Sequence, residues 1–294
     1  MDQSKIITLS SGYHVWTRKE GQGPIKILLL HGGPGMTHEY LEPFSKFISG
    51  KPIQIIYYEQ LGSFYSDQPD NSKLWTIDRF CKEVEEIRQA YRLDDFYLYG
   101  QSWGGILAME YAYRYPQHLK ALISSNMIDD MSDYDPYFNS LRDSKDPLSQ
   151  KEINFMKEKE VQGKFSDPDY IKLVMKFYHR YMCRLHPWPG IVVRSVTRAN
   201  GQVASTLTGG NLFQVGGLLK NWSIRDRLKD IHIPTLLLGA RYDTMNPDVI
   251  RDMVGRFPNA QAFICPNGSH LSILDDQKNY FQAINKFLNK IQGK

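Results

Sequence analysis

The fold turns on one stretch, Gly100-Gln101-Ser102-Trp103-Gly104-Gly105. It fits the pattern G-x-S-x-G, and its flanks carry as much information as the match. Ahead of it, Phe96-Tyr97-Leu98-Tyr99 is a short aromatic and apolar run that predicts a buried strand. Behind it, Ile106 to Tyr115 sets apolar residues at 107, 108, 111, 112 and 115, a helical period that stops before Pro116. Strand, sharp turn and helix are the setting in which this pattern forms a nucleophile elbow. Small residues let strand and helix approach closely, and the turn lifts the serine hydroxyl above the sheet edge. The alternative is a glycine-rich turn that holds a serine by chance, and the two flanks argue against it.

Working outward, Ile25 to Leu30 and Ile53 to Tyr58 are nearly continuous apolar runs, as expected of interior parallel strands. Ile6 to Leu9 and Tyr13 to Thr17 flank Ser11-Gly12 and predict an antiparallel hairpin. A helix with Ile77, Phe80, Val84 and Ile87 on one face is expected between the second interior strand and the elbow, capped by Thr76. Ala121 to Ser124 reads as a further strand. Alternation of strand and helix favours a mostly parallel sheet with right-handed crossovers and helices on both faces.

The texture changes near Asp129. Residues 129–222 show amphipathic helical stretches near 149–162 and 168–185, many aromatics and methionines, and no clear interior strand. A helical cap inserted into an α/β core is expected, with core residues 1–128 before it and 223–294 after it. The sheet pattern returns at Pro234 to Leu238, followed by a helix near Pro247 to Phe257 and a strand at Ala262 to Ile264. A last helix begins near Asp276.

Composition sets outer bounds. The chain has 294 residues, 41% of them hydrophobic and 13% aromatic, enough for a substantial core and incompatible with global disorder. A net charge of +4 without a long basic run gives no support for nucleic-acid binding. No apolar run approaches a membrane span, and no signal-type segment follows Met1-Asp2-Gln3-Ser4-Lys5, so a cytoplasmic protein without membrane association is expected. Cys81, Cys183 and Cys265 are far apart and lack metal-ligand spacing, which suggests reduced thiols used as small hydrophobes. Composition says nothing of oligomeric state.

A serine hydroxyl is a weak nucleophile at neutral pH and needs a neutral imidazole as base, itself oriented by a carboxylate. On this fold the order is Ser, Asp or Glu, His. Asp243 and His270 each lie just past an expected strand and complete that order with Ser102. Asp129 and Asp130 are the rival carboxylates, since they too follow a strand. His31-Gly32-Gly33-Pro34-Gly35 follows the Ile25 to Leu30 strand, where a second oxyanion donor belongs. The N–H groups of Gly33 and Trp103 are therefore the expected oxyanion hole. His31 and His38 flank that bend and are expected to be structural or to face substrate. No metal or organic cofactor is expected.

His31-Gly32-Gly33-Pro34-Gly35, Tyr58-Glu59-Gln60-Leu61-Gly62, Ser66-Asp67-Gln68-Pro69 and Gly100-Gln101-Ser102-Trp103-Gly104-Gly105 resemble the proline iminopeptidase (prolyl aminopeptidase) family, and the chain is similar to the tricorn-interacting aminopeptidases. The resemblance runs over nearly the whole chain, including Gly239 to Pro247 and Gly268 to Leu271. It implies an α/β-hydrolase with a helical cap that removes an N-terminal residue, often proline, from a short peptide or small molecule.

The chain departs from that family where the substrate's amino group is held. By resemblance, one acidic residue belongs in Gly209-Gly210-Asn211-Leu212-Phe213 and another directly after the triad aspartate. This chain has Leu212 and Thr244 there, with Glu160 or Asp129 as possible substitutes. An esterase, lactonase or amidase acting on a neutral, apolar small molecule is the rival reading. A non-catalytic binding protein on the same scaffold is a third.

Overall fold

The computed structural model describes residues 3–48, 52–209, 211 and 213–293. Its strands form one eight-stranded sheet in the order β1-β2-β4-β3-β5-β6-β7-β8. β1 (Gln3–Thr8) and β2 (His14–Glu20) make the expected hairpin, and β2 pairs antiparallel with β4 (Ile53–Tyr58). β3 (Ile25–Leu30), β5 (Phe96–Gln101), β6 (Leu119–Ser125), β7 (Thr235–Tyr242) and β8 (Ala260–Ser269) continue the sheet in parallel from β4.

Why the interior strands read as unbroken apolar runs is visible in β3. Successive side chains point to opposite faces, and both faces are covered. Leu28 and Leu30 join one buried cluster with α2 (Ile77–Tyr91) and α3 (Trp103–Arg114). Ile27 and Leu29 join another with α1 (Phe44–Phe47) and the helix of Gln277–Ile291. Thr76 caps α2 by accepting from the Arg79 N–H at 3.3 Å.

Between β6 and β7 lie α4 (Tyr134–Asp143), α5 (Gln150–Val161), α6 (Pro168–Tyr181), α7 (Gly190–Thr197) and α8 (Gly201–Thr208), with no strand of the sheet among the described residues. They build a third cluster around Phe138, Ile153, Met156, Phe177 and Phe213, so this segment has apolar packing of its own. After β7 come α9 (Pro247–Met253), α10 (Ser272–Asp275) and α11 (Gln277–Ile291).

Several boundaries differ from the sequence reading, β7 among them, which runs to Tyr242 rather than Leu238. α3 begins at Trp103 rather than Ile106, so Ser102 sits at the helix entrance. α6 stops at Tyr181 rather than 185. β8 runs on from Ile264 to Ser269, pairing Tyr242 with Ser269 across an irregularity after Ala240. Pro266 hides this strand in the sequence; on the edge of the sheet its missing N–H costs no ladder bond. Among the described residues, no helix is long and apolar enough to cross a membrane.

Candidate active site

The parallel strands all end at one edge, and the residues just past those ends form the site. β5 delivers Ser102 with φ 55 and ψ −124, a conformation rarely tolerated outside glycine. The turn closes because Gly100 has no side chain, since a Cβ there would stand 2.0 Å from the Gly104 carbonyl oxygen, and Gly104 lets α3 approach β3, where a Cβ would stand 2.2 Å from the Leu30 carbonyl oxygen. The Ser102 hydroxyl is thus held at the N-terminus of α3, over the sheet.

β7 and β8 supply the other two groups. The Tyr242–Ser269 pair is the last rung of their ladder, so Asp243 and His270 leave the sheet side by side. His270 Nε2 lies 2.9 Å from Ser102 Oγ, and His270 Nδ1 lies 2.8 Å from Asp243 Oδ1. With Nδ1 carrying the proton toward the carboxylate, Nε2 is free to accept from serine. Asp243 is wholly buried, and its charge is met by further donors: Asn126 Nδ2 at 2.6 Å, the Met245 N–H at 3.0 Å and Thr244 Oγ1 at 3.4 Å. The rival Asp129 is engaged elsewhere, with Arg225 at 3.1 Å and Arg256 at 2.5 Å. Asp130 caps a short turn through the Ser132 N–H.

Trp103 is the first residue of α3, so its N–H has no intrahelical acceptor. Among the described residues neither that N–H nor the Gly33 N–H has an acceptor within the chain. His31 is structural. Its Nδ1 donates to the Gly32 carbonyl at 2.9 Å, and its Nε2 accepts from the Gln60 N–H at 3.2 Å. Burial pushes its imidazole below the ordinary histidine value, which suits that neutral tautomer. His38 is structural too, paired through Nδ1 with Glu59 at 2.7 Å and stacked on Trp16.

A cavity of about 330 Å³ opens above Ser102 and His270. Met131, Tyr134, Tyr178, Met182, Val215 and Leu219 supply apolar walls, and Thr208, Asn211 and Thr244 supply uncharged polar groups. Among the described residues that line it, none is acidic. Thr244 is where the sequence reading puts it, and Leu212 lies outside the described residues. Glu160 lines a neighbouring cavity, where Arg142 grips it at 2.9 and 3.1 Å. Both acidic substitutes weighed from sequence, Glu160 and Asp129, are therefore committed to arginines.

Sequence reasoning missed Asn126 and a buried pair beneath the site, in which the Tyr40 hydroxyl donates to Gln101 Oε1 at 2.8 Å. Asn126 left a faint signal, an asparagine directly after a strand, the residue type that best tolerates the left-handed backbone it adopts at φ 52. Tyr40 left none.

The model of the alpha/beta hydrolase fold matches residues 26–277. The proline iminopeptidase of Flavobacterium johnsoniae is 43% identical, covering 95% of both chains. That of Elizabethkingia meningoseptica is 41% identical, covering 98% of both. The crystal structure of the proline iminopeptidase of Mycobacterium smegmatis superposes with a TM-score of 0.90 at 28% identity, covering 98% of both chains. The chain belongs to the α/β-hydrolases, and within them to the proline iminopeptidase family.

Proposed function

We propose that this chain is a serine hydrolase that releases the N-terminal residue, proline first, from a short peptide or arylamide through an acyl-enzyme on Ser102. The observation that carries it is the continuous line from Ser102 Oγ through His270 to Asp243, at 2.9 and 2.8 Å. His270 Nε2 takes the Ser102 proton as Oγ attacks the carbonyl carbon. The carbonyl oxygen becomes an oxyanion facing the Gly33 and Trp103 N–H groups. Asp243 stabilises the imidazolium. Collapse breaks the C–N bond, and Nε2 hands its proton to the departing amine. Water then repeats the sequence on the ester, releasing the acid and restoring serine. Residues 129–222 act as a cap that closes the acyl site, on a core of 1–128 and 223–294.

That no acidic residue is among the described residues of the lining favours a second reading on the same machinery, an amidase or esterase for acyl groups with no cationic amine. Burying an ammonium without a partner is costly.

The test combines fluorophosphonate labelling with a panel of prolyl, alanyl and leucyl arylamides, their N-acetyl forms and simple p-nitrophenyl esters. Wild type should be labelled and should cleave prolyl arylamide, and Ser102→Ala should do neither. A wild type that is not labelled and cleaves nothing would sink the serine mechanism. Preference for the N-acetyl forms would select the second reading.

A further inference from the structure

Tyr40 and Gln101 are buried beneath the site, 0% and 2% exposed, and neither touches the cavity. Their polar atoms form one line. The Gly32 N–H donates to the Tyr40 hydroxyl at 2.6 Å, which donates to Gln101 Oε1 at 2.8 Å. Gln101 Nε2 in turn donates to the His270 carbonyl at 3.0 Å. Each direction is forced. A carbonyl only accepts, so the amide nitrogen must face His270 and the amide oxygen must face the phenol. The phenol must then donate to it, leaving a lone pair for Gly32.

The line joins three separated segments, and each contact lies at or next to a group of the proposed chemistry. Gly32 precedes the oxyanion donor Gly33, Gln101 precedes Ser102, and His270 is the base. We propose that Tyr40 and Gln101 act as one positioning relay, which sets the oxyanion bend and the base loop against the nucleophile. This rests on the serine mechanism above.

Two further features argue for positioning rather than filling. A Cβ on Gly32 would stand 2.7 Å from Gln101 Oε1 and 3.1 Å from Ser102 Cβ, so bend and elbow are in direct contact and a small shift in one moves the other. The opposite flank of Ser102 carries a parallel tie: Trp103 Nε1 donates to Gln60 Oε1 at 2.7 Å, and Gln60 Nε2 donates to the His31 carbonyl at 3.0 Å. That second tie holds the bend when the first is cut, so variants of the relay should fold. Burial pushes the Tyr40 hydroxyl well above the ordinary tyrosine range, so it remains a donor at every working pH.

The experiment compares Tyr40→Phe, Gln101→Met and the double variant by melting temperature, kcat and KM on the best arylamide of the panel, and affinity for a boronic acid that forms a tetrahedral serine adduct. Tyr40→Phe should lower kcat by about 10- to 100-fold, with KM held within about threefold, because geometry is lost in the transition state rather than in binding. The loss should be the same from neutral to alkaline pH, and boronate affinity should fall in step with kcat/KM. The double variant should be no worse than the poorer single one, as expected of residues that act as a unit.

Folded single variants with kcat near wild type would overturn the relay, as would losses that multiply in the double variant. Failure of both singles to fold would also overturn it, by making the line a folding element. A wild type that fluorophosphonate does not label removes the serine mechanism itself, whereas a labelled, active wild type with an undiminished Tyr40→Phe removes the relay alone.

Discussion

Asp243 carries its charge with no exposure to water and offers Oδ1 to His270 while Oδ2 is held by Asn126. Asp243→Asn keeps the shape but turns the imidazole into the wrong tautomer, and kcat should fall on the order of 10⁴-fold, as it does for triad enzymes in general. Retention of near wild-type turnover would hand the orienting role to another carboxylate. Asn126→Ala is subtler: it leaves a buried carboxylate oxygen without its donor, which should destabilise the protein by about 1–3 kcal/mol. Urea unfolding beside kcat measures both effects, and an unchanged midpoint would mean that water replaces the amide. Ser102, Asp243 and His270 could be proposed together from sequence because each stands where a strand ends and their order is that of the fold, and the structure sets His270 2.9 Å from Ser102 and 2.8 Å from Asp243. Asn126, Tyr40 and Gln101 act through partners brought from distant strands, and no local pattern encodes such a register.

At the scale of elements, α5 begins with a reciprocal cap. The Glu152 N–H donates to Ser149 Oγ at 3.4 Å, and the Ser149 N–H donates to Glu152 Oε2 at 2.7 Å. Lys176 of α6 adds contacts at 2.8 and 2.9 Å to the same carboxylate. Those bonds, the Lys176 one foremost, hold the Glu152 carboxyl down at about 2. A carboxyl lowered in the folded state stabilises above its unfolded value and loses that contribution as pH falls through the folded one. Glu152→Gln keeps the cap, since glutamine can also reach back to the Ser149 N–H, and should therefore cost about 0.2–1 kcal/mol at neutral pH, the scale of an exposed ion pair, with the gap to wild type closing between the ordinary carboxylate range and pH 2. Melting curves across that window check it, and a gap that persists in acid would show that the charge contributes nothing. Strand and helix identities were readable because period and capping are local. The end of β8 was not, since Pro266 looks like a breaker until the sheet shows it on an edge strand.

For the whole molecule the question is how core and inserted helices divide the work. In the proposed chemistry the core edge presents the reacting groups, while the helical segment, with its own buried cluster, lines much of the cavity above Ser102. The two are stitched at the base: the His270 N–H donates to the Tyr181 carbonyl at 3.0 Å, and the Leu271 N–H to the Met182 carbonyl at 2.8 Å. Substrate choice therefore falls to cavity walls that, among the described residues, bring no carboxylate to Ser102. Thr244 is the place to supply one. It is buried, lines the cavity and directly follows Asp243. Thr244→Glu would put an anion within reach of an α-amine, at the expense of repulsion from Asp243 that a bound ammonium would offset. One side of a buried charge pair is worth about 2–5 kcal/mol on truncation, and even a part of that is a factor of about ten in relative rate. The ratio of kcat/KM for prolyl arylamide over its N-acetyl counterpart should thus rise by about tenfold or more in Thr244→Glu. An unchanged ratio in a folded, active variant would mean that Thr244 does not face the amine. A wild type that already prefers the free amine strongly would mean that uncharged groups such as Asn211 and Thr208 hold it by hydrogen bonds alone.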